Sequence, residues 1–246
     1  MIGKFLESLI KDVVVRYLGE HNIIRPSQHG FTKGKSCLTN RIEFFEDISS
    51  KLDKDESVDV AYLDFQKAFN KVPHKRLVQK IRAHGIGGSI LTSNGKWLTG
   101  RKQRVGINGS FSDWRDVTSG VPQGSVLGPQ LFTICINDLD EDIKANISKF
   151  ADDTKLGGSV NTEDDIKKMQ QDIDRLGDWA GRWQMKYNVG KCEVIHRGRK
   201  NSRAGYFLEG ERLECVSVQR DLGVLVHQSQ KVSLQVQQQL GRRTVC

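Results

Sequence analysis

The stretch Phe150-Ala151-Asp152-Asp153-Thr154-Lys155 places two adjacent carboxylates between two short strand-like runs. Residues 148–150 are typical of a strand that enters a tight turn, and Lys155-Leu156 of a strand that leaves it, with Gly157-Gly158 expected to end that strand. Such a turn presents both carboxylates at the tip of a hairpin, as hard oxygen ligands for a divalent cation such as Mg²⁺. A solvated acidic turn is the alternative, because composition alone predicts roughly 1.5 Asp-Asp pairs in this chain. The other pair, Asp164-Asp165, is typical of the acidic first turn of a helix.

Length and composition indicate one globular domain or two small ones in 246 residues. The mean hydropathy of −0.49 and the lack of a long apolar run exclude a membrane span. Residues 2–13 carry apolar side chains at helical spacing with charges between them, which predicts an amphipathic helix ending near Gly19 rather than a secretion signal. The five cysteines form no C-x-x-C pair and no zinc-site spacing. We therefore expect an intracellular protein of the nucleus or cytoplasm that is not secreted.

The net charge of +8 is unevenly distributed. Residues 65–104 contain ten Lys and Arg and no Asp or Glu, so this basic block carries +10, while acids gather at 137–142 and 152–153. A basic block near a carboxylate cluster suggests a polyanion held next to metal ions. A solvated basic helix face is the alternative.

Residues 58–65 (VDVAYLDF) show the alternation of a strand and contain β-branched and aromatic side chains, which predicts a strand with Asp64 at its end. A carboxylate there is costly to bury unless it is paired or binds a metal. The other predicted elements are helices capped by Ser36 (Leu38, Ile42, Phe45, Ile48 and Leu52 inward), from Pro73 to His84, and over 90–98, 131–147 and 162–183, hairpins at Asn108-Gly109 and Glu209-Gly210, and strands over 191–196 and from Asp221. This mixture predicts an α+β fold with helices on one face of an antiparallel sheet.

Several stretches of the chain resemble the reverse transcriptases of non-long-terminal-repeat (non-LTR, LINE-type) retrotransposons, particularly the jockey-like group. The resemblance runs from about residue 3 to 234. It is carried by QHGFTKGKSC (28–37), YLDFQKAFNKVPH (62–74), LTGRKQRV (98–105), SGVPQGSVLGP (119–129), INDL (136–139), FADDTK (150–155), WQMKYNVGKC (183–192) and DLGV (221–224). Long motifs in the family's order are a specific signal.

The resemblance implies one partial reverse transcriptase domain over residues 1–234, with a tail at 235–246. Its segments would be fingers at about 1–57 and 75–118, and a palm at about 58–74 and 119–230. The thumb is expected to be absent or vestigial. Because the family's triphosphate-gripping segment would precede Met1, we expect this chain alone to extend a primer poorly.

The resemblance also implies the catalytic carboxylates. Asp64 matches the family's first metal-binding Asp, Asp152 the second, and Asp153 the neighbour that contributes less directly. Nucleotidyl transfer uses carboxylates that bridge two Mg²⁺ ions, and Mn²⁺ is able to substitute. We therefore expect Asp64, Asp152 and Asp153 to converge on one metal site.

Five further positions are implied as nucleotide-binding. The backbone of Phe65 would contact the triphosphate, and Phe69 would lie below the sugar and exclude a ribose 2′-hydroxyl. Gln123 and Gly124 would pack on the templating pair and the incoming nucleotide, and Lys191 would lie near the leaving phosphate. Without the family, Phe65 and Phe69 are equally well core residues, Gln123 a loop residue, and Lys191 a solvated lysine.

Nucleic acid is the implied partner, as an RNA template with a DNA primer, together with deoxynucleoside triphosphates. Leu222 and Gly223 would form the primer grip. The basic residues expected to contact nucleic acid are Lys67, Lys71, Lys75, Arg76, Arg101, Lys102 and Arg104. No membrane contact is expected.

Three functions remain open at this stage. The first is a metal-dependent RNA-directed DNA polymerase, the second is a catalytically inactive nucleic-acid-binding remnant, and the third is a phosphodiesterase that uses the same carboxylates. The family usually has Asp where this chain has Asn70, which affects loop geometry more than chemistry.

Overall fold

The computed structural model of the protein describes residues 2–88 and 97–229. The helices are α1 (Ile2–Glu20), α2 (Cys37–Asp53), α3 (Ala68–Lys71), α4 (His74–Ala83), α5 (Gly128–Cys135) and α6 (Glu163–Trp183). The strands are β1 (Val58–Leu63), β2 (Lys102–Gln103), β3 (Gly106–Ile107), β4 (Ser110–Phe111), β5 (Arg115–Asp116), β6 (Asn146–Phe150), β7 (Asp153–Ser159), β8 (Glu193–Arg197), β9 (Phe207–Leu208), β10 (Glu211–Arg212), β11 (Glu214–Cys215), β12 (Val218–Asp221) and β13 (Val224–His227). Most of the helix predicted over 90–98 and the tail at 235–246 lie outside the described residues.

A five-stranded sheet in the order β11-β8-β1-β7-β6 forms the centre of the fold. The middle strand β1 is antiparallel to both β7 and β8, and β6 and β7 form a hairpin. Only the short edge strand β11 runs parallel to its described neighbour β8. The predicted α+β class with an antiparallel sheet is confirmed.

Side chains of β1 alternate between two cores, because successive residues of a strand point to opposite faces. Ala61 and Leu63 belong to the main core, which α4, α5 and α6 cover. Val58, Val60 and Tyr62 belong to a smaller core on the other face, where α2 packs. Helix α2 is thus an exception to the expectation that the helices lie on one face.

Ser36 caps α2 as predicted, in a reciprocal capping box with Thr39. The predicted inward face was wrong at its start, since Leu38 and Ile42 are 61% and 54% exposed. Asn40 is buried instead, and its amide donates to Ser148 Oγ at 2.7 Å and to the Lys149 carbonyl at 3.1 Å. These bonds to β6 turn a polar side chain inward.

The helix predicted over 131–147 was also wrong, since α5 ends at Cys135 and β6 begins at Asn146. The buried ammonium of Lys149 donates to the carbonyls of Ile136 and Asn137 at 3.3 and 3.2 Å. Those carbonyls would otherwise accept the next helical hydrogen bonds. Tertiary contacts therefore end a helix that the apolar spacing would continue.

Two predicted strand boundaries also differ. β7 continues through Gly157 and Gly158 to Ser159. A Cβ at Gly157 would lie only 2.9 Å from Phe44 Cζ, so glycine at this position allows α2 to pack closely on the sheet. Asp221 ends β12 rather than starting a strand, and Leu222-Gly223 form its turn to β13. The hairpins at Asn108-Gly109 and Glu209-Gly210 are present.

No helix among residues 2–88 and 97–229 is long and apolar enough to cross a membrane.

Candidate active site

The turn between β6 and β7 consists of Ala151 and Asp152, and Asp153 is the first residue of β7. Ala151 has a φ of 54°, a left-handed conformation that is uncommon outside glycine. The buried side chain of Gln28 holds it there, since its Oε1 accepts from the Ala151 N–H at 3.0 Å and from the Gly30 N–H at 2.7 Å. The turn is therefore fixed from a distant segment of the chain.

Asp64 directly follows β1, on the strand next to this turn. Leu63 is paired with Thr154, so Asp64 comes level with Asp153 as the register continues. The backbone of Asp64 is fixed because its carbonyl accepts from the Asn188 N–H at 2.8 Å and its N–H donates to Cys192 Sγ at 3.4 Å. Its carboxylate is about one-third exposed and lies 3.8 Å from Lys191 Nζ.

Desolvation, together with repulsion among the carboxylates, raises the pKa values of both Asp152 and Asp153. Burial and then the charge of Asp64 raise the pKa of Asp152, although a backbone hydrogen bond opposes the shift. Desolvation of the carboxyl group and repulsion by Asp152, Asp64 and Asp221 raise the pKa of Asp153 to about 6. A nearby cation would stabilise the ionised form of these carboxylates.

One cleft joins several of the predicted residues. Asp64, Asp153, Lys191 and Leu222 all line it, and so does Asp221. Asp221 forms a buried ion pair with Lys155, whose Nζ lies 2.6 Å from Asp221 Oδ2. This pair fastens the predicted primer-grip turn to the strand that carries Asp153.

The residues fit a divalent cation that is held jointly with a substrate. Within the described ranges, no group of three or more His, Cys, Asp or Glu side chains is arranged to hold a metal unaided. Mg²⁺ at phosphate-transfer sites usually takes one or two carboxylates and completes its shell with phosphate and water oxygens. Asp64 and Asp153 on one cleft, with Asp152 repelled by Asp64, match that incomplete donor set.

The two predicted aromatic residues have different surroundings. Phe65 is buried and stacks on Tyr187 with ring centroids 4.2 Å apart, so its side chain belongs to the core. Phe69 is partly buried, stacks on Phe132 at 4.2 Å, and meets Phe31 edge-on at 6.2 Å. Phe31 follows Gly30, which packs on Ala151, so Phe69 is connected to the β6–β7 turn through Phe31.

A second concavity collects part of the basic block with Gln123. This basin of about 770 Å³ is lined by Gln123 and by four predicted contact residues, Lys67, Lys71, Arg101 and Lys102. Arg101 donates to the carbonyls of Leu98 and Gly120 at 3.2 and 2.9 Å, so some of its donors support the wall. Gly124 is exposed and follows Gln123 in the same loop.

Other charged residues serve the fold or lie elsewhere. Arg76 bonds the Arg182 carbonyl, whereas Lys75 is exposed. Lys80 is buried and bonds Asp138, so the basic block is not one continuous phosphate-binding surface. Among the acids near 137–142, Asp140 pairs with buried Lys149 at 3.0 Å.

The segment from β2 to β5, residues 102–116, forms an outer hairpin. Arg104 lies on it, with its guanidinium carbon 4.0 and 4.7 Å from the ring centres of Phe111 and Trp114. Both rings are about 60% exposed, at 61% and 59%. This hairpin therefore presents a basic and aromatic surface to solvent.

The sequence patterns missed the residues that position the site. Gln28, Gly30 and Asp221 lie within motifs that carried the resemblance, yet residue chemistry alone gave them no role. A buried Gln in a loop and a Gly that touches backbone become visible only once the long-range contacts are known.

The antiparallel sheet carries one carboxylate after its middle strand and two more at the adjacent hairpin, a donor set suited to a two-metal site. Residues 1–233 match the reverse transcriptase (RNA-dependent DNA polymerase) family, and the chain belongs to this family. The resemblance to non-LTR retrotransposon reverse transcriptases is also confirmed, by the relatives described next.

The chain is 30% identical over 203 residues to the probable RNA-directed DNA polymerase from transposon BS of Drosophila melanogaster, covering 77% of this chain and 22% of that protein. It is 28% identical over 240 residues to the RNA-directed DNA polymerase from mobile element jockey of Drosophila funebris, covering 93% and 26%. The chain thus spans about a quarter of these relatives.

Solved telomerase structures share the fold. Telomerase from Candida albicans, in complex with a TWJ fragment of telomeric RNA, superimposes with a TM-score of 0.60 at 11% identity, covering 92% of this chain and 39% of that one. Apo telomerase from Candida tropicalis gives 0.56 at 14% identity, covering 90% and 44%.

Proposed function

We propose that this chain supplies the palm and part of the fingers of an RNA-directed DNA polymerase of a non-LTR retrotransposon. The cleft that Asp64, Asp153, Lys191 and Leu222 share is the observation that carries the proposal. All five strands of the central sheet fall inside the segments 58–74 and 119–230 that were predicted as palm.

In this proposal, Asp64 and Asp152 hold two Mg²⁺ ions, with Asp153 as an auxiliary ligand. The bound ions would supply Lewis acidity at the primer hydroxyl and at the leaving pyrophosphate. The Lys191 ammonium lies 3.8 Å from the Asp64 carboxylate. When the triphosphate binds, Lys191 would leave Asp64 and contact the phosphate oxygens instead. The Leu222-Gly223 turn, fastened through Asp221, holds the primer end in line with the nucleotide.

RNA template, DNA primer and deoxynucleoside triphosphates are the proposed substrates. Phe69 would select deoxyribose, and Phe65 would contribute through its backbone. Gln123 and Gly124 would lie against the templating pair. The basin beside Gln123 supports the proposal because Lys67, Lys71 and Lys102 concentrate positive charge there.

The test is extension of oligo(dT) on poly(rA) with Mg²⁺ or Mn²⁺, by the chain alone and joined to the flanking segments of the jockey polymerase. We expect the joined protein to extend, and Asp152→Ala to reduce its rate at least about 100-fold, since orientation and charge stabilisation are lost together. Asp164→Ala removes an exposed carboxylate from the other Asp-Asp pair and should leave extension unchanged.

A second readout is independent of turnover. Mn²⁺ binding, followed by electron paramagnetic resonance with a deoxynucleoside triphosphate present, should weaken in Asp64→Ala and Asp152→Ala and persist in Asp164→Ala. Equal Mn²⁺ binding in all three variants would refute the assignment of these carboxylates.

Nucleic-acid binding without catalysis is the second candidate function, and the basin favours it, because its basic residues need no metal. A protein that binds poly(rA)/oligo(dT) with unchanged affinity in Asp152→Ala, and that never extends it when joined to the flanking segments, would have this function.

A further inference from the structure

A second cluster of reactive groups surrounds Asp59, near the start of β1, whereas Asp64 of the candidate active site follows the end of that strand. Asp59 is fully buried, and its carboxylate receives three side-chain hydrogen bonds at 2.7 Å, from His196 Nδ1, Asn201 Nδ2 and the Tyr206 hydroxyl. Burial and the charge of Asp59 raise the pKa of Tyr206, so that its hydroxyl remains a donor. The Asn201 amide and the Tyr206 hydroxyl donate to different oxygens of this carboxylate, so both oxygens already serve as acceptors.

These bonds determine which nitrogen of His196 carries the proton. Because both oxygens of Asp59 accept from Asn201 and Tyr206, Nδ1 is the atom that donates to Asp59 Oδ1. The other nitrogen, Nε2, lies 3.2 Å from Cys215 Sγ. Nε2 is therefore the atom that can accept the thiol proton, and Asp59 behind the ring stabilises the imidazolium that results.

Cys215 is accessible to reagents in solution. It lies on the edge strand β11 and is exposed, whereas Cys135 and Cys192 are buried. Pairing of β11 with β8 brings Cys215 level with Val194, two residues before His196. A thiol, an imidazole and a carboxylate thus stand in series, the arrangement that activates cysteine nucleophiles.

The groove next to His196 is basic. His196, Asn201, Arg199 and Arg203 line a groove of about 490 Å³, and both arginines are exposed. Cys215 lies outside the lining of this groove but contacts His196, so an anionic reagent drawn to the two arginines would be brought beside the thiol.

We propose that Cys215 is an activated thiol that undergoes exchange with anionic disulfides such as glutathione disulfide. The Cys215 proton passes to His196 Nε2, and the thiolate attacks one sulfur of the disulfide. The S–S bond breaks, a mixed disulfide forms on Cys215, and the departing glutathione thiolate takes the proton from His196. The disulfide is the oxidant, so thiols and electrons balance.

The wild-type chain provides the first test. Iodoacetamide labelling, resolved by peptide mass spectrometry, should modify Cys215 about tenfold faster in the native protein than in the urea-unfolded chain, because unfolding removes the base. An ordinary exposed thiol reacts no faster when folded. A native rate equal to or below the unfolded rate would overturn the proposal.

His196→Gln tests the base itself. Glutamine can still donate to Asp59 but cannot take up the thiol proton, so Cys215 should react about tenfold more slowly while exposed Cys37 keeps its rate. Protected Cys135 and Cys192 would verify that the variant is folded. An unchanged Cys215 rate in a folded variant would refute the role of His196, and the native-against-unfolded comparison decides if the variant does not fold.

The anionic preference has its own control. In Arg199→Gln/Arg203→Gln, glutathione disulfide should modify Cys215 several-fold more slowly, whereas the neutral bis(2-hydroxyethyl) disulfide should react at the wild-type rate. Equal slowing of both reagents, or of neither, would remove the arginine groove from the proposal.

Discussion

Gln28 and Gly30 act on the candidate catalytic turn from a distant segment, with Gln28 lying 123 positions before Ala151. Gln28 satisfies the Ala151 N–H in a left-handed turn, where no strand partner reaches it. Gly30 is needed for a different reason, since a Cβ there would lie 2.2 Å from Ala151 N. The position of Asp152 therefore depends on the backbone packing of Gly30.

Gly30→Ala tests this dependence. The new methyl group must displace the turn, so we expect a loss of about 1–3 kcal/mol in the free energy of unfolding, measured with urea. We also expect an extension rate lowered about 100-fold in the protein joined to its flanking segments, because small displacements of catalytic groups are costly.

Gly181→Ala is the matched control. Gly181 is exposed in α6 with open space around it, so the same change should stabilise the protein by about 0.5–1 kcal/mol. Wild-type extension in Gly30→Ala would show that the turn tolerates the displacement.

At the scale of elements, the β12–β13 hairpin is fastened to β7 by the Lys155–Asp221 pair, whose side chains are only 5% and 6% exposed. Burial lowers the pKa of Lys155, and Asp221 opposes that shift. Removing one partner of a buried pair leaves an uncompensated charge, whereas replacing both with apolar groups does not.

Asp221→Ala should accordingly destabilise the protein by about 3–5 kcal/mol in urea unfolding. The double variant Lys155→Met/Asp221→Leu should recover most of that loss. Asp164→Ala breaks an exposed, solvent-screened pair and should leave the free energy of unfolding nearly unchanged. A double variant as unstable as Asp221→Ala would mean that the geometry, rather than the unpaired charge, sets the cost.

The outer hairpin gives an independent prediction. If Trp114 and Phe111 stack on bases beside Arg104, Trp114→Ala should weaken binding of single-stranded RNA by about 1–3 kcal/mol. Ile107→Ala, at an exposed apolar residue of the same hairpin, should have no effect. Fluorescence anisotropy measures both, and equal affinity in the two variants would exclude stacking by Trp114.

Elements with a strong local pattern were predictable, and elements shaped by distant contacts were not. Alternation in 58–65 and apolar spacing in 162–183 predicted β1 and α6, because these elements bury regular faces. The helix beyond Cys135 was mispredicted because buried Lys149 takes its carbonyls. The resemblance of the motifs indicated Asp64, Asp152 and Asp153. The supporting role of Gln28 depends on a contact with a distant segment, so it required the structure.

At the scale of the whole molecule, the charge of +8 matters through its distribution. Lys80 is buried against Asp138, while Lys67 and Lys102 remain exposed at the rim of the basin. Part of the basic block therefore stabilises the fold, and its exposed lysines are the members that phosphates can reach.

Salt dependence separates these two roles. Binding of poly(rA)/oligo(dT) should weaken linearly in a double-logarithmic plot against salt concentration, because each neutralised phosphate releases counterions. Lys67→Gln/Lys102→Gln should flatten the slope by about 1.8, or about 0.9 for each lost contact. Lys168→Gln/Lys200→Gln removes the same charge from exposed ion pairs outside the basin and should leave the slope unchanged. Equal flattening in both double variants would mean that the duplex responds to net charge, and the basin would then have no specific role in binding.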